Sequence, residues 1–279
     1  MIRRFATAVP ANTAIGAVLL AVVLCAALLS LVWTPYPYAE MNIAGKFQGM
    51  SSEHWLGTDQ YGRDVLSQLM AGAASSMAVA FIAVGLGGLT GAALGMVAAS
   101  VGGVTDDAIM RLGDLGFAFP ALLFAIMLAA VFGPSLGVAI VAIAFINVPV
   151  FARVARAAAI QVWTRDFVLA ARAAGVGSFG ISMQHVLPNI AAPLIVQATI
   201  EFAVAILAEA ALSYLGLGAQ PPLPSWGRML AEAQTLLYLA PQLAIYPGLC
   251  IVVTVIGFGM LGDGLRDMTD PRLSKERAA

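Results

Sequence analysis

The chain has 279 residues, of which 61% are hydrophobic and 10% charged, with a mean hydropathy of +0.91 and a net charge of −1. Roughly a quarter of a soluble domain's residues are charged, so this chain cannot coat a water-exposed globule and is predicted to be an all-α polytopic membrane protein. The charge balance gives no support to nucleic-acid binding, and Cys25 and Cys250, both inside apolar runs, make no disulfide framework of the secreted kind.

About 20 apolar residues cross the hydrocarbon core, so charge-free runs locate the spans. Residues 5–39 carry no charge, and 14–33 form the first span. Its apolar run is longer than a signal-peptide core and no small-residue cleavage site precedes Trp33, so it is expected to be retained. An outer segment of about 34–76 follows, ending in TDQYGRDVLSQLMAG. Thr58 or Asp59 is a candidate cap there for a short helix showing Val65, Leu66, Leu69 and Met70 on one face.

The second span is predicted near 77–99, within the uncharged run 65–105. Gly87, Gly91, Gly95 and Ala99 recur every four residues, which lines one helix face with small side chains and lets another backbone approach. Packing within the subunit ranks ahead of an interface between subunits as the use of that stripe. Beyond it, Asp107, Arg111 and Asp114 stand four and three apart and are expected to pair along one helix.

Residues 115–152 are again uncharged, but Gly133-Pro134-Ser135 breaks the run and predicts a hairpin of two spans. A fifth span fits 190–213 and a sixth 242–262. Between them lies 214–241, containing GLGAQPPLPSWGR, where Pro221, Pro222 and Pro224 forbid a helix. A short helical piece ended by Pro241 is expected next, and whether 228–240 lies on the surface or dips into the membrane stays open. The chain thus divides into 1–76, a membrane helix with an outer loop, and 77–279, a five-span core interrupted by the polar loop 158–189.

Six spans put both termini on one side, together with 101–111 and 153–189. That side carries Arg3, Arg4, Arg111, Arg153, Arg156, Arg165, Arg172, Arg266, Arg272, Lys275 and Arg277, against Lys46, Arg63 and Arg228 on the other, an excess of 11 to 3. The positive-inside rule places the termini in the cytoplasm. Trp33, Tyr36, Tyr38 and Trp226 then fall at or beyond the outer interface, where amphipathic rings are favoured.

Chemistry is sparse. Neither of the two lysines follows a phosphate-cradling G-x-x-x-x-G, and there is no G-x-S-x-G or H-E-x-x-H. His54 and His185 fall on opposite sides and share no metal, so no catalytic and no metal residue is assigned. Glu201, about 16 Å into the fifth span if that helix starts near Ile190, lies near the midplane. A charge there is costly, so it should face protein or water. It either lines a substrate path or proton relay, or bonds to a neighbouring helix. For Glu209, near the outer face, the bonded role is preferred.

The polar loop is the strongest feature. Asp166 or Thr164 can cap a helix through Phe167, Leu169, Ala170, Ala171 and Ala174, and Gly175 is a natural stop. A second helix from about Ser178 carries Phe179, Ile181, Met183 and Val186, with Pro188 where it ends or the fifth span begins. Alanine-rich helices of this kind suit docking in a groove on another protein, and two helices are more than a connection needs.

Here the pattern A-A-(x)3-G-(x)11-L-P, at Ala170-Ala171, Gly175 and Leu187-Pro188, resembles the EAA loop of permease subunits in ATP-binding-cassette importers. HWLGTDQYGRDVLSQLMAG (54–72), HVLPN (185–189), EAALSYLGLG (209–218) and LGDGLRDMTDPR (261–272) are similar to the dipeptide, oligopeptide and nickel branch. The resemblance implies a type I importer permease fold in the bacterial inner membrane. The expected partners are a second homologous permease, two cytoplasmic ATPases that hold the ATP and magnesium, an extracytoplasmic solute-binding protein, and lipid. No cofactor is expected on this chain.

By the same resemblance, Phe167 to Val176 would be the coupling helix received by an ATPase. Leu169 stands where glutamate names the loop, so shape and apolar packing come first, with Arg172 or Asp166 as polar contacts. Ala74 stands where relatives often carry arginine. Peptides are the expected cargo, with nickel or another small solute as the alternative. Two other classes compete: a proton-driven transporter working through Glu201, and a membrane anchor without a pore.

Overall fold

The computed structural model describes residues 10–269, and the arginines and lysine counted above at 3, 4, 272, 275 and 277 lie outside them. Ten helices follow in chain order: α1 (Ala11–Ser30), α2 (Val65–Val101), α3 (Gly103–Ala118), α4 (Ala121–Phe132), α5 (Leu136–Trp163), α6 (Asp166–Ala173), α7 (Ser178–Ile181), α8 (Leu187–Tyr214), α9 (Trp226–Ala233) and α10 (Gln242–Thr269). Five helical stretches are long and apolar enough to cross a membrane, and the pair α3 and α4 adds a sixth, bent by 82° at its break. The first arm of the hairpin expected from 115 onwards is therefore not one helix but two that meet at a sharp bend. Pro120 supplies the break: it has no N–H to donate, and it holds Phe119 extended. The turn expected at Gly133-Pro134-Ser135 is present, with Gly133 at φ 81° and Ser135 Oγ accepting from Val138 N at 3.2 Å.

The helix expected before the second span is not separate from it. α2 runs unbroken for 37 residues, about 55 Å, which exceeds the roughly 30 Å hydrocarbon core. Its cap is Asp64, and not Thr58 or Asp59: Asp64 Oδ2 accepts from Ser67 N at 2.8 Å and from Ser67 Oγ at 2.7 Å. Thr58 instead bonds within the loop, donating to Gly45 O at 2.5 Å.

Small residues bring the helices together. A Cβ on Gly87 would lie 2.7 Å from Ala144 O, one on Gly91 2.3 Å from Val148 O, and one on Gly95 2.3 Å from Ala152 O. The glycine stripe thus seats α2 against α5 of the same chain, running parallel to it, since both sequences advance together along the contact. α1 packs antiparallel to α10 in the same way, with Gly16 against Leu261, Gly257 against Leu20 and Gly264 against Thr13.

Two apolar cores result. The larger draws on α1, α2, α4, α5, α8, α9 and α10. The smaller, at the end of the bundle that carries α6, joins Ala92 and Met96 of α2, Ala155, Ala159 and Trp163 of α5, Val168 of α6, and Ile181, Val186 and Ile190 leading into α8.

Three further expectations change. Asp107, Arg111 and Asp114 do not pair along α3. Its ion pairs cross to α5 instead, Asp106 with Arg156 and Asp114 with Arg153, the second at 2.5 Å. Trp226 is no interfacial ring but is fully buried, with Nε1 donating to Leu69 O at 3.1 Å. Pro241 does not end a helix: α9 stops at Ala233, a 3-10 turn covers Gln234–Leu236, and the Pro241 carbonyl accepts the first bonds of α10. Trp226, Gly227, Met229 and Ala233 of α9 are buried against the bundle.

Candidate functional site

The loop between α5 and α8 forms a compact projection. α6 covers eight residues, and its amide ends are not capped by a side chain: Arg165 occupies the cap position, Asp166 sits in the first turn, and Thr164 Oγ1 turns back to Gln161 O at 3.0 Å. Neither of the caps expected from the sequence forms. Gly175 does stop the helix. Its φ of 84° is a conformation side chains resist, and its N–H donates to Arg172 O at 3.0 Å.

The second helix of the loop does not end at Pro188. Ser178–Ile181 passes through one π-helical turn at Ser182–Val186 and continues into α8, so Pro188 lies in the first turn of α8, directly past the π turn. Asn189 Nδ2 donates to His185 O at 2.6 Å across that junction.

One side of α6 is inserted and the other presented. Val168 is fully buried in the smaller core, Ala171 and Val176 pack against it, and Arg172 lies over the ring of Trp163 at 5.3 Å. Phe167 leans towards the ring of His185, 6.2 Å away between centroids, and remains half exposed. Leu169, Ala170 and Ala173 face outwards, and Phe179 beside them is 79% exposed. The projection is therefore an apolar knob with Asp166 at its edge. Beside it a cleft of about 810 Å³ opens between α5, the start of α6 and the start of α8, with Gln161, Arg165, Asp166 and Asn189 on its walls.

Glu201 and Glu209 separate in environment. Glu201 is mostly buried, and one carboxylate oxygen accepts from Gln197 Nε2 at 2.8 Å, a partner on its own helix. Glu209 does not reach an outer surface: it is fully buried, accepting from Ser76 Oγ of α2 at 2.7 Å and from Ser213 Oγ at 2.6 Å. Ser76 Oγ also accepts from Trp226 N at 3.4 Å, so one carboxylate ties α2, α8 and the start of α9.

A charged cluster that the sequence reading did not assign holds the opposite end. Asp59 accepts from Tyr61 N, Arg63 N, Arg63 Nε and Gln68 Nε2 at 2.6 to 2.9 Å. Arg63 Nη2 donates to Glu232 Oε2 at 2.5 Å, and Arg228 Nε to Glu232 Oε1 at 3.0 Å. Burial alone would lower the Arg63 pKa, but Asp59 and Glu232 beside it carry it above the ordinary arginine value, so the guanidinium stays charged. His54 Nδ1 stands 2.9 Å from Asp64 Oδ1, adding a ring to the same loop. Arg228 and Glu232, four apart, were the local signal for this cluster. Val168 and Trp163 were likewise missed at the other end, where a tryptophan two residues before Arg165 and nine before Arg172 was the available hint.

Residues 91–275 match the family described as binding-protein-dependent transport system inner membrane component. The chain is 42% identical over 259 residues to the dipeptide transport system permease protein DppC of Alkalihalophilus pseudofirmus, covering 93% of this chain and 85% of that one. It is 42% identical over 226 residues to the di/tripeptide transport system permease protein DppC of Pseudomonas aeruginosa, covering 81% and 75%. Over 225 residues it is 40% identical to the glutathione transport system permease protein GsiD of Escherichia coli, covering 81% and 74%. An inward-facing structure of the MetNI methionine ABC transporter superposes with a TM-score of 0.59 at 20% identity, over 71% of this chain and 95% of that chain, a likeness of fold.

Proposed function

The chain belongs to the binding-protein-dependent transport system inner membrane component family, and from that premise we propose that it forms half of the translocation pore of an importer for short peptides. It is a multi-pass permease subunit of an ATP-binding-cassette importer in a bacterial inner membrane, and it is not itself the ATPase. The cargo follows from the relatives, whose names specify dipeptides, di- and tripeptides, and glutathione.

The rest of the assembly is part of this proposal: a second homologous permease completing the pore, two ATPases that carry ATP and magnesium, and a binding protein outside. The end of the bundle with α6 faces the cytoplasm, together with both termini. The observation that carries the coupling role is the shape of the loop, a short helix rooted by Val168 and presenting Leu169, Ala170 and Ala173 outwards. ATPase movement then reaches α5 and α8 through the smaller core. Phe167 to Val176 is the docking element, and Glu201 lines the path.

Reconstitution tests the reading. The chain with its permease partner, two ATPases and binding protein in proteoliposomes should take up a labelled dipeptide only with ATP. Uptake by the purified chain alone, driven by a proton gradient, would overturn it in favour of a secondary transporter.

A further inference from the structure

Val168, Ala171 and Arg172 of α6 lie three and four apart on one helical stripe. Val168 and Ala171 pack into the smaller core, while Arg172, though exposed like Leu169, Ala170 and Ala173, turns its guanidinium back towards the end of α5. There the guanidinium lies 5.3 Å from the ring centre of Trp163, within the range at which a cation is attracted to an aromatic face.

Trp163 is an odd choice for that site unless its face is used. It is 8% exposed, and its buried Nε1 donates to no acceptor among the described residues. Leaving a donor unpaired is costly, and a phenylalanine or leucine would fill the space without that cost. Tryptophan offers the strongest ring for a cation. Trp163 is also the last residue of α5, the helix seated against α2 by the glycine stripe.

We propose that Arg172 is a positioning residue that fastens α6 to the end of α5 through the face of Trp163, so that displacement of α6 is delivered to α5 and, across the stripe, to α2. This rests on the coupling role of the loop proposed above. It reverses the assignment of Arg172 as a polar contact for the ATPase: the arginine acts inwards, and docking belongs to the apolar outer face.

The test uses the full complex with its ATPases, and reads both ATPase co-purification and the stimulation of ATP hydrolysis by the binding protein loaded with dialanine. Arg172→Gln and Trp163→Leu should each lower that stimulation at least threefold while the ATPases still co-purify. The double variant should be no worse than either single one, because both remove one contact. Arg172→Lys and Trp163→Phe should recover most of the stimulation. If Trp163→Leu does not accumulate, the cycle is run with Trp163→Phe, where Arg172→Gln should then cost less than in the parent.

Losses that multiply would overturn the inference, as would full stimulation in Arg172→Gln. Release of the ATPases by Arg172→Gln but not by Trp163→Leu would make Arg172 a docking contact and also overturn it. A parallel Ala170→Trp variant, bulky on the outer face, should release the ATPases. If it binds and couples normally, the coupling role itself fails, whatever Arg172 does.

Discussion

Arg63 and Glu232, 169 positions apart, meet at 2.5 Å between Nη2 and Oε2 and join the loop before α2 to α9. The contact is shared on both sides, since Asp59 also holds Arg63 and Arg228 also holds Glu232. Glu232→Ala leaves a mostly buried guanidinium with one partner fewer. A charge-assisted hydrogen bond contributes about 1.5–3 kcal/mol, so the variant should melt several degrees lower in detergent. Hydrogen exchange in the loop around residues 42–63 should quicken, while exchange at the α6 end stays as in the parent.

The glycine stripe makes a sharper prediction about packing. A Cβ on Gly91 would sit 2.3 Å from Val148 O, whereas one on Gly85 meets nothing within 4 Å. Gly91→Ala should cost about 1–3 kcal/mol through forced separation of α2 and α5. Gly85→Ala, in the same helix, should be neutral or slightly stabilising. Thermal melts of the two purified variants separate the cases.

Gly175 tests the turn after α6. At φ 84° a β-branched residue is strained by about 1–3 kcal/mol, and no neighbour lies within 4 Å of its missing Cβ, so the effect is purely conformational. Gly175→Val should weaken co-purification of the ATPases several-fold with little change in membrane insertion. Gly177→Ala, at an ordinary φ of −69°, should retain them.

The two glutamates of α8 should part in phenotype. Glu209→Ala orphans the hydroxyls of Ser76 and Ser213 in a sealed pocket, a loss of about 1–3 kcal/mol that lowers the melting temperature. Glu201→Gln keeps its size and its bond from Gln197 within reach, so stability should hold. Dipeptide uptake should fall if Glu201 lines the path, and uptake at the parent rate would remove it from that role.

The stretch 166–189 shows how far local pattern reaches. Its apolar periodicity, its alanines and Gly175 marked a helix, a stop and a second helix, and the structure has all three. The caps failed because Thr164 Oγ1 turned back to Gln161 O, and because Asp166 fell inside the first turn with Arg165 at the cap position. Pro188 was ambiguous, since proline fits both just past one helix and in the first turn of the next, and only the path of Ser182–Val186 chose.

By itself the sequence determined what depends on neighbours along the chain. Apolar runs of span length, the break at Gly133-Pro134-Ser135 and the four-residue recurrence of Gly87, Gly91 and Gly95 are all local, because hydrocarbon thickness and helical pitch act on consecutive residues. Tertiary structure decided the pairings. Arg111 had Asp107 and Asp114 within reach on paper, but the ion pairs of α3 run from Asp106 to Arg156 and from Asp114 to Arg153, Trp226 was drawn into the core, and Arg172 turned to Trp163. Those choices depend on which helix faces which across the bundle, and that is set by the shape of packed surfaces far apart in sequence.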